Sequence, residues 1–269
     1  MVFISVLIIV SLCVALLNIF GQFKTLRYSD FMTTPESLFR FGREEPLPYK
    51  EALGEISRLT QIDDRLTYAH EATKLVSKSL AHLEWNKLDP LKAYQTVPLW
   101  ENPVLYLLGR YSGLPYYQRY NFTDYRRTLE RGFGICGDAS VVLSQLLDKK
   151  QIKHQIVAFD EHVLVEIEID HKRYVLDPDF GVVAESSLKE LADSPELIVN
   201  HYSNAGFPET DGRLLARILA RRSYTYNSVY DFVPKRYLLE RISYWLFWYG
   251  PVLGVLAGVL LWTIYRQAL

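Results

Sequence analysis

The sequence predicts an α+β domain held between two hydrophobic helices. Three observations carry this. Two charge-free apolar stretches occupy residues 2–20 and 242–265. A loop with Gly132 and Gly134 leads into a regular helical face at Ala139, Val142, Leu143, Leu146 and Leu147. Three strand-like runs follow in close succession, at 155–159, 162–169 and 173–176. A buried helix followed by an antiparallel meander is the α+β arrangement. The chain has 269 residues, 49% hydrophobic and 23% charged, enough to bury a core. Its net charge of −1 and scattered lysines and arginines give nucleic-acid binding no electrostatic footprint.

The first apolar stretch, taken as a helix over 1–21, is long enough to cross a bilayer core of roughly 30 Å. No Lys or Arg precedes it and no small-x-small cleavage site follows, so it reads as an uncleaved anchor rather than a signal peptide. The second, taken as a helix over 241–265, carries Trp245, Trp248 and Tyr249 at one edge and Trp262 and Tyr265 at the other. Amphipathic rings at both edges suit a membrane interface. Pro251 and three glycines are tolerated in a spanning helix. Lys24, Arg27, Lys235, Arg236 and Arg241 all flank the intervening domain, which the positive-inside rule places in the cytoplasm.

Residues 22–95 read as an extended segment, broken by Pro35, Pro46 and Pro48, and then a helical part from about 49 to 85. Leu66, Ala69, Ala72, Leu75, Val76, Leu80 and Leu83 form one apolar stripe along it. Residues 96–234 form the core, with short helices near 100–112 and 123–131, the helix after Cys136, the three strands, and helix again over 186–222.

Of the two cysteines, Cys13 lies inside the first apolar stretch, which leaves Cys136 without a disulfide partner. Such a thiol is either a small buried hydrophobe or a reactive group. Cys136 falls in the first turn of its helix. Unpaired N–H groups and the positive end of the helix dipole favour thiolate over thiol there. Asp138, in the same turn, is placed to cap the helix. His162 opens the alternating strand. Val163, Val165, Ile167 and Ile169 form its apolar core face, so His162 is expected on the other face, toward the cysteine helix. Asp177 closes the next strand, and a hairpin turn near 170–172 brings it beside His162. A lone strand histidine is usually structural, and an aspartate before proline usually forms a turn. Nucleophile, base and orienting carboxylate appearing together are the pattern of a thiol-dependent triad.

The runs Gly-Ile-Cys136-Gly-Asp138-Ala139-Ser, His162-Val-Leu-Val-Glu166 and Tyr174-Val-Leu-Asp177-Pro178 resemble the transglutaminase-like superfamily over about residues 96–205. Bacterial membrane-anchored members are the nearest general match. The resemblance implies a papain-like fold, with Cys136 as nucleophile, His162 as general base and acid, and Asp177 orienting the imidazole. It also implies a bacterial inner-membrane protein acting on a protein or peptide amide through an acyl-enzyme, resolved by water or by an amine. Members often carry an aromatic residue two positions after the histidine; this chain has Leu164. The oxyanion donor defaults to the Cys136 N–H, with Gln118 or Trp100 as a side-chain candidate. The alternative class is a non-catalytic scaffold in a membrane assembly, linked to cell-surface polysaccharide production. A zinc site at Cys136, His162 and Asp177 lacks a fourth ligand at sensible spacing. No cofactor or metal is expected; the lipid bilayer and a membrane-protein partner are.

Overall fold

The computed structural model describes residues 2–42 and 45–267; Met1, part of the expected first span, lies outside them. Its helices are α1 (Val2–Gly21), α2 (Tyr49–Leu59), α3 (Arg65–Ser79), α4 (Pro103–Tyr111), α5 (Pro115–Gln118), α6 (Tyr125–Arg131), α7 (Cys136–Lys149), α8 (Leu188–Asp193), α9 (Pro195–Asn204), α10 (Glu209–Leu219), α11 (Val229–Phe232) and α12 (Pro234–Gln267). Its strands are β1 (Ala81–His82), β2 (Phe133–Gly134), β3 (His154–Ala158), β4 (Val163–Ile169), β5 (Lys172–Asp177), β6 (Val182–Ala184) and β7 (Tyr224–Tyr226). The chain forms two compact units, one of residues 1–26, 89–120 and 235–269, the other of residues 27–88 and 121–234.

In the first unit α1 and α12 run antiparallel. Both are long and apolar enough to cross a membrane. Gly254 packs on Ser11 and Gly258 on Ile8, so closely that a Cβ at either glycine would clash. Small residues four apart are what lets two helix backbones approach in lipid. Pro251 has no N–H, so the Phe247 carbonyl, four residues earlier, loses its intrahelical donor. Asn18 Nδ2 supplies one at 2.6 Å. An Asn18→Leu change strands that carbonyl and is expected to weaken the helix pair by about 1 kcal/mol. Pro251→Ala restores the intrahelical donor. A double-mutant cycle followed by unfolding in mixed micelles should therefore show Asn18→Leu costing little in the Pro251→Ala background. α12 begins at Pro234, seven residues before the expected span, and Glu240, Ser243 and Tyr244 are buried along its early turns.

The second unit is built on an antiparallel sheet in the order β6-β5-β4-β3-β7. The expected α+β character holds at this level: mixed helix and sheet, with α7 packed on the meander. The helical part expected over 49–85 is two helices, because Asp64 caps a new start by accepting from the Thr67 N–H, and it ends at Ser79, so Leu80 and Leu83 of the expected stripe lie beyond it in extended chain around β1. The helix expected over 186–222 is three, broken at Ser194-Pro195 and at Gly206-Phe207-Pro208. β6 and β7 were not foreseen; three residues are too few to show a period.

The sheet is buried on both faces. Val165, Ile167, Tyr174 and Leu176 pack against α3 and α7 through Ala72, Val76, Ala139, Val142, Leu143 and Leu146. Leu164, Val175, Val182 and Ala184 pack against α8, α9 and α10. This corrects the expected placement of the cysteine helix. α7 covers the Val165–Ile167 face, and the Leu164 face is a second core. Glu166 lies on that second face, hydrogen-bonded to the Leu188 N–H at 3.0 Å.

Candidate active site

Cys136 is the first residue of α7 and is half-buried. Its approach is constrained from both sides. α6 ends at Gly132, whose φ of 81° is left-handed and suits glycine. Phe133 and Gly134 then pair in parallel with Ala81 and His82. At Gly134 a Cβ would come within 2.7 Å of the Asp138 Cβ, so the chain passes the first turn of α7 only without a side chain. Asp138 is buried and accepts from the Ile135 N–H at 3.0 Å, capping the helix as expected. Asn121 Nδ2 donates to both of its oxygens, at 3.1 and 2.9 Å. The N-cap residue is Ile135, which has no side-chain acceptor, so the first-turn N–H groups beside Cys136 receive no side-chain cap.

His162 precedes β4 rather than opening it, and its carbonyl accepts from the Phe159 N–H at 2.8 Å across the tight bend from β3. Its ring lies on the Leu164 side of the sheet, against Phe180 of the second core and Asp177. Ser140, one turn into α7, donates to the Val163 carbonyl at 3.0 Å and clips the cysteine helix to the residue after the histidine. The imidazole is 1% exposed. Its Nε2 lies 2.7 Å from Asp177 Oδ2. A buried carboxylate accepts, so Nε2 carries the proton. Nδ1 has no hydrogen-bond partner among the described residues. The Cys136 thiol is near enough to act on the ring.

The register pairs Val165 with Leu176, so Asp177 stands beside Leu164 and reaches His162 diagonally rather than directly across. The turn that aligns them is Asp170-His171, with φ of 50° and 63°, the two-residue hairpin geometry that matches strand twist. Asp177 Oδ1 accepts from the N–H groups of Asp179 at 3.1 Å and Phe180 at 3.3 Å. Oδ2 also accepts from Tyr202 Oη at 2.6 Å. Every oxygen of this 1% exposed carboxylate is thus committed.

Burial is the largest influence on His162 and opposes its charged form. The Asp177 charge, the hydrogen bond to Asp177 and the nearby Cys136 thiol outweigh it, and the imidazole pKa lies well above the ordinary 6.5. For Asp177, burial acts upward and is overcome by the His162 charge and by hydrogen bonds from His162, Tyr202 and Phe180. Its pKa is lowered below 3.8. Both directions favour the imidazolium–carboxylate form of the pair. Burial and the Asp177 charge push the Tyr202 phenol well up, so it stays a donor.

Tyr202 was not foreseen. It lies on α9, 25 residues from Asp177, and nothing local in the sequence marks it. Around the pair, Phe180 meets the His162 ring edge-on at 5.9 Å and the Tyr202 ring at 5.0 Å. Asp179 is held by His82 Nδ1 at 2.8 Å and by Arg40 at 3.6 Å. A cavity of about 180 Å³ opens beside this turn, lined by Phe41, Lys78, His82, Asp179, Phe180 and Phe207 among others.

The structure thus brings Cys136, His162 and Asp177 together in one unit. Gln118 and Trp100, the side-chain oxyanion candidates, belong to the other unit with the two apolar helices. Gln118 is exposed with its carbonyl bound by Thr96 Oγ1, and the Trp100 ring meets Tyr94. Among the described residues no group of three His, Cys, Asp or Glu side chains is arranged to hold a metal ion. Comparison with protein-family models, with curated proteins and with solved structures finds no match to this chain.

Proposed function

We propose that the chain is a membrane-anchored, transglutaminase-like thiol enzyme that acts on amide bonds through an acyl-enzyme. The observation that carries this is the His162 ring. One nitrogen is fixed by a fully committed buried carboxylate, and the other is unpartnered beside a half-buried thiol at a helix start.

The steps follow from the groups present. The Cys136 thiolate attacks the amide carbon and forms a C–S bond, while the oxygen takes the electron pair. The uncapped N–H groups at the start of α7 support the reading that this oxyanion is stabilised there. The tetrahedral adduct collapses, the C–N bond breaks, and His162 Nδ1–H gives its proton to the departing amine. Water or a second amine then loses a proton to Nδ1 and attacks the thioester, and the Cys136 thiolate leaves. Asp177 keeps the ring oriented throughout, and Tyr202 acts on the ring through Asp177 as a positioning residue.

The two apolar helices support membrane attachment, and Lys24, Arg27, Lys235, Arg236 and Arg241 favour the cytoplasmic side for the domain. A simple activated ester tests the chemistry. Incubation of the solubilised protein with 4-nitrophenyl acetate, followed by intact-mass analysis, should show one acetyl group, mapped to Cys136 and discharged by added primary amine or by water. Acetylation spread over surface lysines, with Cys136 unmodified, would instead favour the non-catalytic scaffold.

A further inference from the structure

The segment between the two apolar helices' proximal ends carries an apolar face that no part of its own unit covers. Leu107, Tyr111 and Leu114 are 52%, 72% and 53% exposed, at helical spacing along α4 and into the turn after it. The opposite side of α4 is already satisfied, with Leu105 and Gly109 buried. A helix apolar on both sides has more to cover than its own fold supplies.

Three contacts fix its height against the apolar helices. The Trp100 carbonyl packs on Gly21, the last residue of α1. Asn102 Nδ2, on the cap residue of α4, donates to Ser243 Oγ at 3.2 Å. Arg236 Nε donates to Tyr116 Oη at 2.9 Å. α4 therefore starts where both charge-free stretches end, and α5 lies level with a point seven residues back along α12. That is about 10 Å at 1.5 Å per residue, the depth of a headgroup layer and its margin. The surrounding charges suit an anionic surface. Lys24, Arg110, Lys235 and Arg241 are exposed. Glu101 and Glu240 are instead turned inward, bonded to Tyr244 and Tyr120.

The geometry points to α4 and its following turn as an interfacial element, with Leu107, Tyr111 and Leu114 seated in the headgroup–acyl boundary of an anionic bilayer. It rests on the reading of α1 and α12 as spanning helices. Its consequence is that the protein holds the bilayer at three places, so the first unit cannot pivot freely about two spans.

Site-directed spin labels test it, in the full chain with Cys13→Ala and Cys136→Ala, reconstituted in vesicles of phosphatidylcholine and phosphatidylglycerol at three to one. Labels go at Leu107→Cys, Tyr111→Cys and Leu114→Cys, with Leu256→Cys as the deep reference and Ser57→Cys as the aqueous one. The proposal expects the ratio of oxygen to nickel-chelate accessibility at all three to exceed that at Ser57 about fivefold or more, and to fall short of Leu256. Ratios equal to Ser57, with Leu256 deep, overturn the proposal alone. Poor access of both reagents at the three sites, with Leu256 deep, also overturns it, because a second protein surface then covers the face. Leu256 open to the nickel chelate removes the spanning reading and the proposal with it.

Discussion

Asp177→Asn is expected to slow acylation of Cys136 by about 10³–10⁴-fold while leaving the fold largely in place. The argument is one of donors and acceptors. The N–H groups of Asp179 and Phe180 both point at Oδ1, so an asparagine must keep its carbonyl oxygen there. Its NH₂ then occupies the Oδ2 position and faces the His162 ring, where it can only donate. The ring must accept at Nε2 and carry its proton on Nδ1, the wrong tautomer for taking a proton on the Cys136 side. The negative charge that raises the imidazole pKa is lost as well. Tyr202→Phe removes one donor but neither the charge nor the tautomer control, so its effect should be far smaller. The 4-nitrophenyl acetate burst, measured on both variants, separates the two.

Arg131→Ala is expected to destabilise the second unit by about 3–5 kcal/mol, the range for removing a large buried side chain. Arg131 is fully buried at the end of α6, immediately before the loop to Cys136. Its guanidinium lies 4.7 Å from the Trp85 ring, 5.2 Å from Phe122 and 5.0 Å from Phe133. Its carbonyl accepts from the Tyr28 N–H at 3.1 Å. Truncation opens a cavity among three rings and removes a desolvated cation–π cluster. Phe133 lies in β2, so the cavity sits directly under the segment that delivers the thiol. Guanidinium unfolding of the detergent-solubilised protein measures the loss. Arg131→Lys should recover only part of it, since a lysine keeps the charge but not the flat guanidinium.

Much of the arrangement around Cys136 is local, which is why one sequence sufficed to anticipate it. The α7 face repeats at helical spacing, and β4 and β5 are joined by a two-residue turn, so proximity of residues 162 and 177 follows from counting. What was missed depends on long-range packing. Tyr202 reaches Asp177 from a helix whose position over the sheet has no local signature. The second core, on the Leu164 face, needs α8–α10 to be folded over it, and a strand whose polar residues are Glu166 and Glu168 gives no sign of that. The use of Asn18 to satisfy the carbonyl freed by Pro251 joins residues 229 apart. Residues 96–120 read as part of the core, and 89–95 as the end of the segment before it, yet all of them cluster with the apolar helices, because their anchoring contacts run to residues 21 and 236–244.

The central claim is that His162 and Cys136 work as one unit. Alkylation of Cys136 by iodoacetamide across pH 5–10, read at that residue by mass spectrometry, tests it most directly when the native protein is compared with His162→Ala. A ring whose pKa is raised stays protonated below that pKa and stabilises the adjacent thiolate there, and it loses this influence as pH rises through it. The native protein should therefore label faster than His162→Ala by about tenfold or more near pH 6, with the two rates converging at the alkaline end. Identical profiles for the two proteins, both following an ordinary thiol at every pH, would contradict it.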